Sequence, residues 1–239
     1  MITSAALCPA PPLLARELTG ADPVVPTLRD ACLDAAAALI ADAPDLVAIV
    51  GAAAETRAWP PDGQLNLSPY APPLRVADRT SALSPPPQPA PALPLALGLA
   101  SRLLDEAGYT GRRELQSVSD QETAADCAAL GARLASSSAR VAMLVMADGS
   151  ARRGLKAPGY LDDRSAPFDT EVERAVRAGN LSALLTLDPV LARELMATGR
   201  AGWQVLAGAM TGVRPVTQIR YCDDPFGVAY LVASLRAGG

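Results

Sequence analysis

Through Ala147 the chain alternates between continuous apolar runs of strand length and apolar positions repeated at helical spacing. Ile2 to Leu7 reads as a short buried strand. The prolines of Cys8-Pro9-Ala10-Pro11-Pro12 end it, because proline offers no N–H to a sheet ladder. From Thr27 to Ala41, Leu28, Cys32, Ala35 and Leu39 recur at helical spacing, with Arg29, Asp30 and Asp34 on the other side. Asp45 to Gly51 is again a strand-length apolar run, and the strand-helix-strand unit so formed predicts parallel strands. Leu95 to Ala107 predicts a helix and Glu114 to Val118 a strand. Ser119 stands three residues before Glu122, a capping-box pattern that predicts a helix of about 16 residues through Leu134. Val141 to Ala147 is apolar throughout and is expected in the centre of the sheet.

Beyond that strand the period changes. Pro167 to Met210 predicts a cluster of helices, with Asn180 and Asp188 as N-caps, Pro189 in a first turn, and Gly179 and Gly199 as C-caps. Val213 to Tyr221 and Gly227 to Ser234 alternate and predict an antiparallel hairpin around Asp223-Asp224-Pro225-Phe226. Ala52 to Pro94 is irregular, with a proline-rich loop at about 60–94. It reads either as a loop folded over a pocket or as a proline-stiffened surface linker. No internal repeat or clean boundary divides the chain. The expected fold is one α/β domain over residues 1–239, with a central mixed sheet, helices on both sides and a C-terminal antiparallel hairpin.

Composition narrows the function classes. Of the 239 residues 50% are hydrophobic and 19% charged, which is the balance of a globular chain. The net charge of -4 is spread without single-sign runs, so no nucleic-acid footprint is present. Apolar stretches are interrupted before membrane-spanning length and Met1 to Leu14 has no basic lead, so no membrane partner and a cytoplasmic location are expected. Cys8, Cys32, Cys127 and Cys222 are dispersed and read as reduced thiols. The chain has no histidine, which excludes Ser-His-Asp and Cys-His catalysis, and neither a phosphate loop nor a dinucleotide fingerprint occurs.

Two constellations carry candidate chemistry. Asp148-Gly149-Ser150 with Arg152, Arg153 and Lys156 follows the central strand, and Arg57 is expected to face the same opening; such donors suit a carboxylate or phosphate. The alternative is that Asp148 caps its turn while the cations are solvated or pair with Asp162, Asp163 and Asp169. Cys8, Glu55, Asp148, Cys222, Asp223 and Asp224 lie near expected strand ends, the place for a rebuilt carboxylate or thiolate site; carboxylates alone would favour magnesium, manganese or calcium over iron. Turn capping and core filling are the plainer roles for the same residues.

The stretches Leu7 to Leu14 (LCPAPPLL), Met146 to Tyr160 (MADGSARRGLKAPGY) and Tyr221 to Tyr230 (YCDDPFGVAY) together resemble the class III extradiol dioxygenase superfamily. The likeness is to its beta-type branch, which includes the beta chains of protocatechuate 4,5-dioxygenases and Memo-type proteins. It implies the extradiol dioxygenase fold of that branch. In active members, two histidines and a carboxylate hold ferrous iron while a further histidine moves protons. The motifs put Ala10 at the first imidazole position, Ala53 (within one residue) at the second, Ala151 at the proton-moving position and Asp223 at the carboxylate. Alanine supplies neither a lone pair nor a proton. The resemblance therefore implies a degenerate dioxygenase-like protein without the Fe2+ cofactor. Loops around Ala10, Ala53, Asp148 and Asp223 are expected to keep a pocket for a small, anionic ligand or a partner. Two alternatives stay open: a metal-dependent oxidoreductase or hydrolase with a rebuilt site, and a structural subunit of an oligomer, either a homo-oligomer or an assembly with a different chain.

Overall fold

The strand patterns above are apolar on successive residues, so both faces of the strands they form must be covered. The computed structural model, which describes residues 1–20, 24–70 and 91–238, meets that demand with helices on both sides of one sheet. The strands are β1 (Ile2–Cys8), β2 (Leu46–Ala52), β3 (Arg57–Trp59), β4 (Gln64–Leu65), β5 (Ala92–Leu93), β6 (Arg112–Val118), β7 (Val141–Met146), β8 (Val216–Asp223) and β9 (Tyr230–Arg236). The helices are α1 (Arg16–Thr19), α2 (Pro26–Ile40), α3 (Leu95–Glu106), α4 (Ala124–Ala135), α5 (Ser165–Arg177), α6 (Pro189–Glu194) and α7 (Arg200–Ala209), with 3-10 turns at Pro12–Leu14 and Leu181–Thr186.

Seven strands pair in the order β3-β6-β2-β7-β1-β9-β8. β7 is the middle strand and every residue of it is buried, as its apolar run requires. β1 and β2 run parallel, yet each pairs with β7, which inserts between them from later in the chain. β6 continues the parallel block, while β3, β9 and β8 add antiparallel edges. Alternation along β2 separates two cores. Val47 and Ile49 pack with α2 and α3 on one face, and Leu46, Ala48 and Val50 pack with α4, α5 and α7 on the other. Among the described residues, no helix is long and apolar enough to cross a membrane.

On the second face α4 and α7 approach so closely that a Cβ on Gly131 would stand 2.0 Å from the Val205 carbonyl oxygen, and one on Gly208 would stand 2.2 Å from that of Ala128. Both glycines are there because backbone meets backbone.

Several local expectations need correction. α4 begins at Ala124, not at Ser119: its N-cap is Thr123, whose Oγ1 accepts from the Asp126 N–H at 3.1 Å. The Ser119 hydroxyl instead accepts from Gln121 N–H within a turn. Asn180 makes no side-chain cap and leads into a 3-10 turn. Gly199 has φ -76° and precedes α7, so it begins a helix where a C-terminus was expected. Asp188 caps Val190 N–H at 2.8 Å, with Pro189 behind it, and Gly179 takes φ 64° after α5, both as expected. The irregular stretch from Ala52 contains β3, β4 and β5, with β3 extending the main sheet. The proline run Ser84 to Pro89 lies outside the described residues.

Candidate functional site

Because β1, β2, β6 and β7 are parallel, their carboxyl ends share one edge of the sheet. From β2 the chain leaves through α3 on one face; from β7 it leaves through α5 to α7 on the other. A crevice outside two strands whose connections diverge in this way is where open α/β sheets place ligands. A cavity of about 470 Å³ opens there, with Ala52, Ala53 and Ala54 at the end of β2, Asp120 after β6, and residues from Ala192 to Ala201 opposite.

Arg200 is the most buried charge in this lining, at 2% exposure. It is the first residue of α7 and is fixed there by Gly199, whose N–H donates to the Asp148 carbonyl at 2.8 Å. A Cβ on Gly199 would meet that oxygen at 2.6 Å, so the close approach requires glycine. The Arg200 guanidinium donates through Nη1 to Gln204 Oε1 (2.7 Å) and the Glu122 carbonyl (3.1 Å), and through Nη2 to the carbonyls of Asp120 (2.5 Å) and Glu122 (3.1 Å). These oxygens solvate the cation without neutralising it. Among the described residues neither Arg200 nor Arg193, which lines the same cavity, has a carboxylate partner.

The loop after β7 is pinned from both sides. The Ala10 N–H donates to Asp148 Oδ1 at 2.8 Å. Desolvation pushes the Asp148 carboxyl up to about 6, and the Ala10 bond only partly opposes it. Gly149 N–H donates to the Ala229 carbonyl, Ala229 N–H to that of Ser150, and Ala151 N–H to that of Leu195. Ser150, fully buried, donates both its N–H and its Oγ–H to the Asp169 carboxylate. Arg153 Nε donates to Asp224 Oδ2 at 2.8 Å and lies 3.9 Å from Asp169. A second cavity of about 190 Å³ lies beside these groups, lined by Arg153, Asp169, Glu173, Cys222, Asp223 and Asp224 among others.

The positions singled out in the sequence divide as follows. Ala53 lines the larger cavity and Asp223 the smaller; Ala10 and Ala151 are buried and line neither. Asp223 is exposed, and its Oδ1 accepts from Asp224 N–H. Arg57 lies on the edge strand β3, with its guanidinium 3.5 Å from the Trp59 ring centroid, and lines neither cavity. Lys156 is exposed, and Arg152 packs against Gly159 with a buried Nε that has no partner among the described residues. Asp162 is held by Arg164, which pulls its carboxyl down to about 2. The expected anion-binding cluster is thus largely committed elsewhere: Ser150 and Arg153 already serve carboxylates of the chain itself.

The donor set does not fit the iron centre of the resembled family. Alanine stands at the three positions where the resemblance would put imidazoles, and among the described residues no group of three His, Cys, Asp or Glu is placed to hold a metal. Burial also pushes the Cys127 and Cys222 thiols up to about 11, which disfavours the thiolate a metal would need. Asp120, Arg193, Met196, Thr198 and Arg200 were not singled out by the motifs. Arg200 was not legible as a candidate, because only the structure puts it in the first turn of a helix, where a cation opposes the helix dipole and calls for a local reason.

No protein-family model and no curated protein matches the chain. Among solved structures, the fold is similar to that of uncharacterized protein JW3007 from Escherichia coli K12, with a TM-score of 0.54 at 13% identity, covering 98% of this chain and 99% of that one. At that identity the likeness speaks to the fold.

Proposed function

We propose that this chain is a small-molecule binding protein on a scaffold resembling the class III extradiol dioxygenases, and that it performs no iron-dependent ring cleavage. The observation that carries the reading is the 470 Å³ cavity at the carboxyl ends of the parallel strands. Its volume suits a small organic ligand, and its place matches the rule for open α/β sheets. Alanine at positions 10, 53 and 151, where the resemblance would put imidazoles, offers neither a lone pair nor a proton for ferrous chemistry, and of the three only Ala53 lines the cavity. The four free thiols are consistent with a reducing, cytoplasmic compartment.

The test has two arms. Protein incubated anaerobically with ferrous iron and then desalted should retain less than about a tenth of an equivalent of metal, where a built site would stay filled. It should give no ring-cleavage absorbance with protocatechuate. In the second arm, a panel of small carboxylates, alcohols and amines is screened by thermal shift against the wild type and Ala53→Leu, which narrows the cavity. Binding lost in Ala53→Leu supports the reading. Stoichiometric iron with turnover, or a panel without a single binder, refutes it.

A further inference from the structure

We infer that the large cavity takes a small monocarboxylate with an apolar body, received at its carboxylate by Arg200 and Arg193. This deepens the ligand-binding reading and rests on it.

The charges facing the cavity set the class of ligand. Arg193, Arg200 and Asp120 are the ionisable groups in its lining, which leaves one positive charge in excess. Arg200 is the buried member, and a buried cation with no counter-ion is a cost that the fold retains only where something compensates it. Its four terminal guanidinium N–H groups are spent on Gln204 and on the carbonyls of Asp120 and Glu122. Its Nε–H has no acceptor among these bonds and is the donor left for a ligand. Arg193 is exposed and supplies a second cation at the rim. The positive end of the ten-residue α7 adds to the same potential, since Gly199 has no side chain with which to cap it.

The remaining walls set the body. Apart from Thr198, they are alanines and Met196, whose methyl groups and thioether favour an apolar group over a sugar or a second charge. One bound carboxylate neutralises the excess charge. A phosphate dianion would overcompensate it while facing Asp120, and a cation would meet two guanidiniums.

Calorimetry on the full chain at fixed ionic strength tests the inference with sodium benzoate, sodium hexanoate, the neutral analogues benzyl alcohol and 1-hexanol, and inorganic phosphate. At least one carboxylate should bind about tenfold or more tightly than its matched alcohol, the discrimination expected of a charge-assisted hydrogen bond. Arg200→Gln strips donors from the Asp120 and Glu122 carbonyls and risks unfolding, so the diagnostic variant is Arg193→Ala at an exposed site. It should weaken the carboxylate by about tenfold and leave the alcohol unchanged. Equal affinity for acid and alcohol overturns the carboxylate assignment while leaving a ligand-binding cavity. Phosphate binding more tightly than either carboxylate also overturns it. If no probe binds, the inference fails, and the broader thermal-shift panel judges the ligand-binding reading separately.

Discussion

The Ala10 amide donates to Asp148 Oδ1 at 2.8 Å, which ties the end of β1 to the loop after β7 across 138 residues of chain. That bond joins two of the motif stretches, and it holds a carboxylate whose surroundings raise its proton affinity. Burial puts the Asp148 carboxyl at about 6, and its charge is felt at Tyr230 and Cys32, whose own ionisation it opposes.

Asp148 should therefore make the fold weaker as it ionises. A carboxyl with a raised folded-state pKa contributes stability that is complete below its unfolded value near pH 4 and is lost as pH rises through about 6. Asp148→Asn keeps an oxygen for the Ala10 N–H and removes the charge. It should be more stable than wild type by about 1–2 kcal/mol at pH 8, with the advantage gone below about pH 4. Urea denaturation across that range checks the sign. A variant that is weaker at pH 8 would show that the anion serves the fold.

The crossing of α4 and α7 depends on two missing methyl groups. Gly131→Ala and Gly208→Ala each place a carbon within 2.2 Å of a carbonyl oxygen on the facing helix, so the helices must separate. Each should cost about 1–3 kcal/mol or more despite a gain in helix propensity. Gly154→Ala, where nothing lies within 4 Å, should change stability little. Chemical denaturation of the three variants makes the comparison.

The start of α4 can be decided by two hydroxyl deletions. Thr123→Ala removes the acceptor for Asp126 N–H and should cost about 1 kcal/mol. Ser119→Ala loses only a 3.2 Å bond from Gln121 in a turn and should cost less. Equal losses would place the cap back at Ser119.

How far the chain could be read follows from what each signal measures. Apolar runs report burial on both faces, so β1, β2 and β7 were legible and the central place of β7 followed from its pattern. The hairpin of β8 and β9 was legible from alternation. Capping patterns are more degenerate: Ser119-to-Glu122 and Thr123-to-Asp126 both fit, and only the packed structure selects the second. Gly199 illustrates a deeper limit. A glycine in a helical cluster reads as a C-cap, yet here it stands before a helix with ordinary φ, because its missing Cβ admits the Asp148 carbonyl. The cavity was hidden for the same reason. Arg193 and Arg200 sat in a segment whose periodicity advertised packing, and the bonds that leave Arg200 without a carboxylate are contacts made across long separations in sequence.

Ser150 and Asp169 supply the last test. The serine gives both donors to a carboxylate whose burial raises its proton affinity while the Ser150 bonds and the Arg153 charge lower it. Ser150→Ala removes the hydroxyl donor, so the ionised form of Asp169 loses more than the protonated form does. The variant should lose about 1–3 kcal/mol at pH 8 and distinctly less at pH 4, where the carboxyl takes up a proton. Ser165→Ala is the control, because that hydroxyl donates to the Arg152 carbonyl at 2.8 Å and to no carboxylate. Its loss should not vary between the two pH values. A pH-independent loss at Ser150 as well would mean that packing, and not the charge on Asp169, sets the role of this serine.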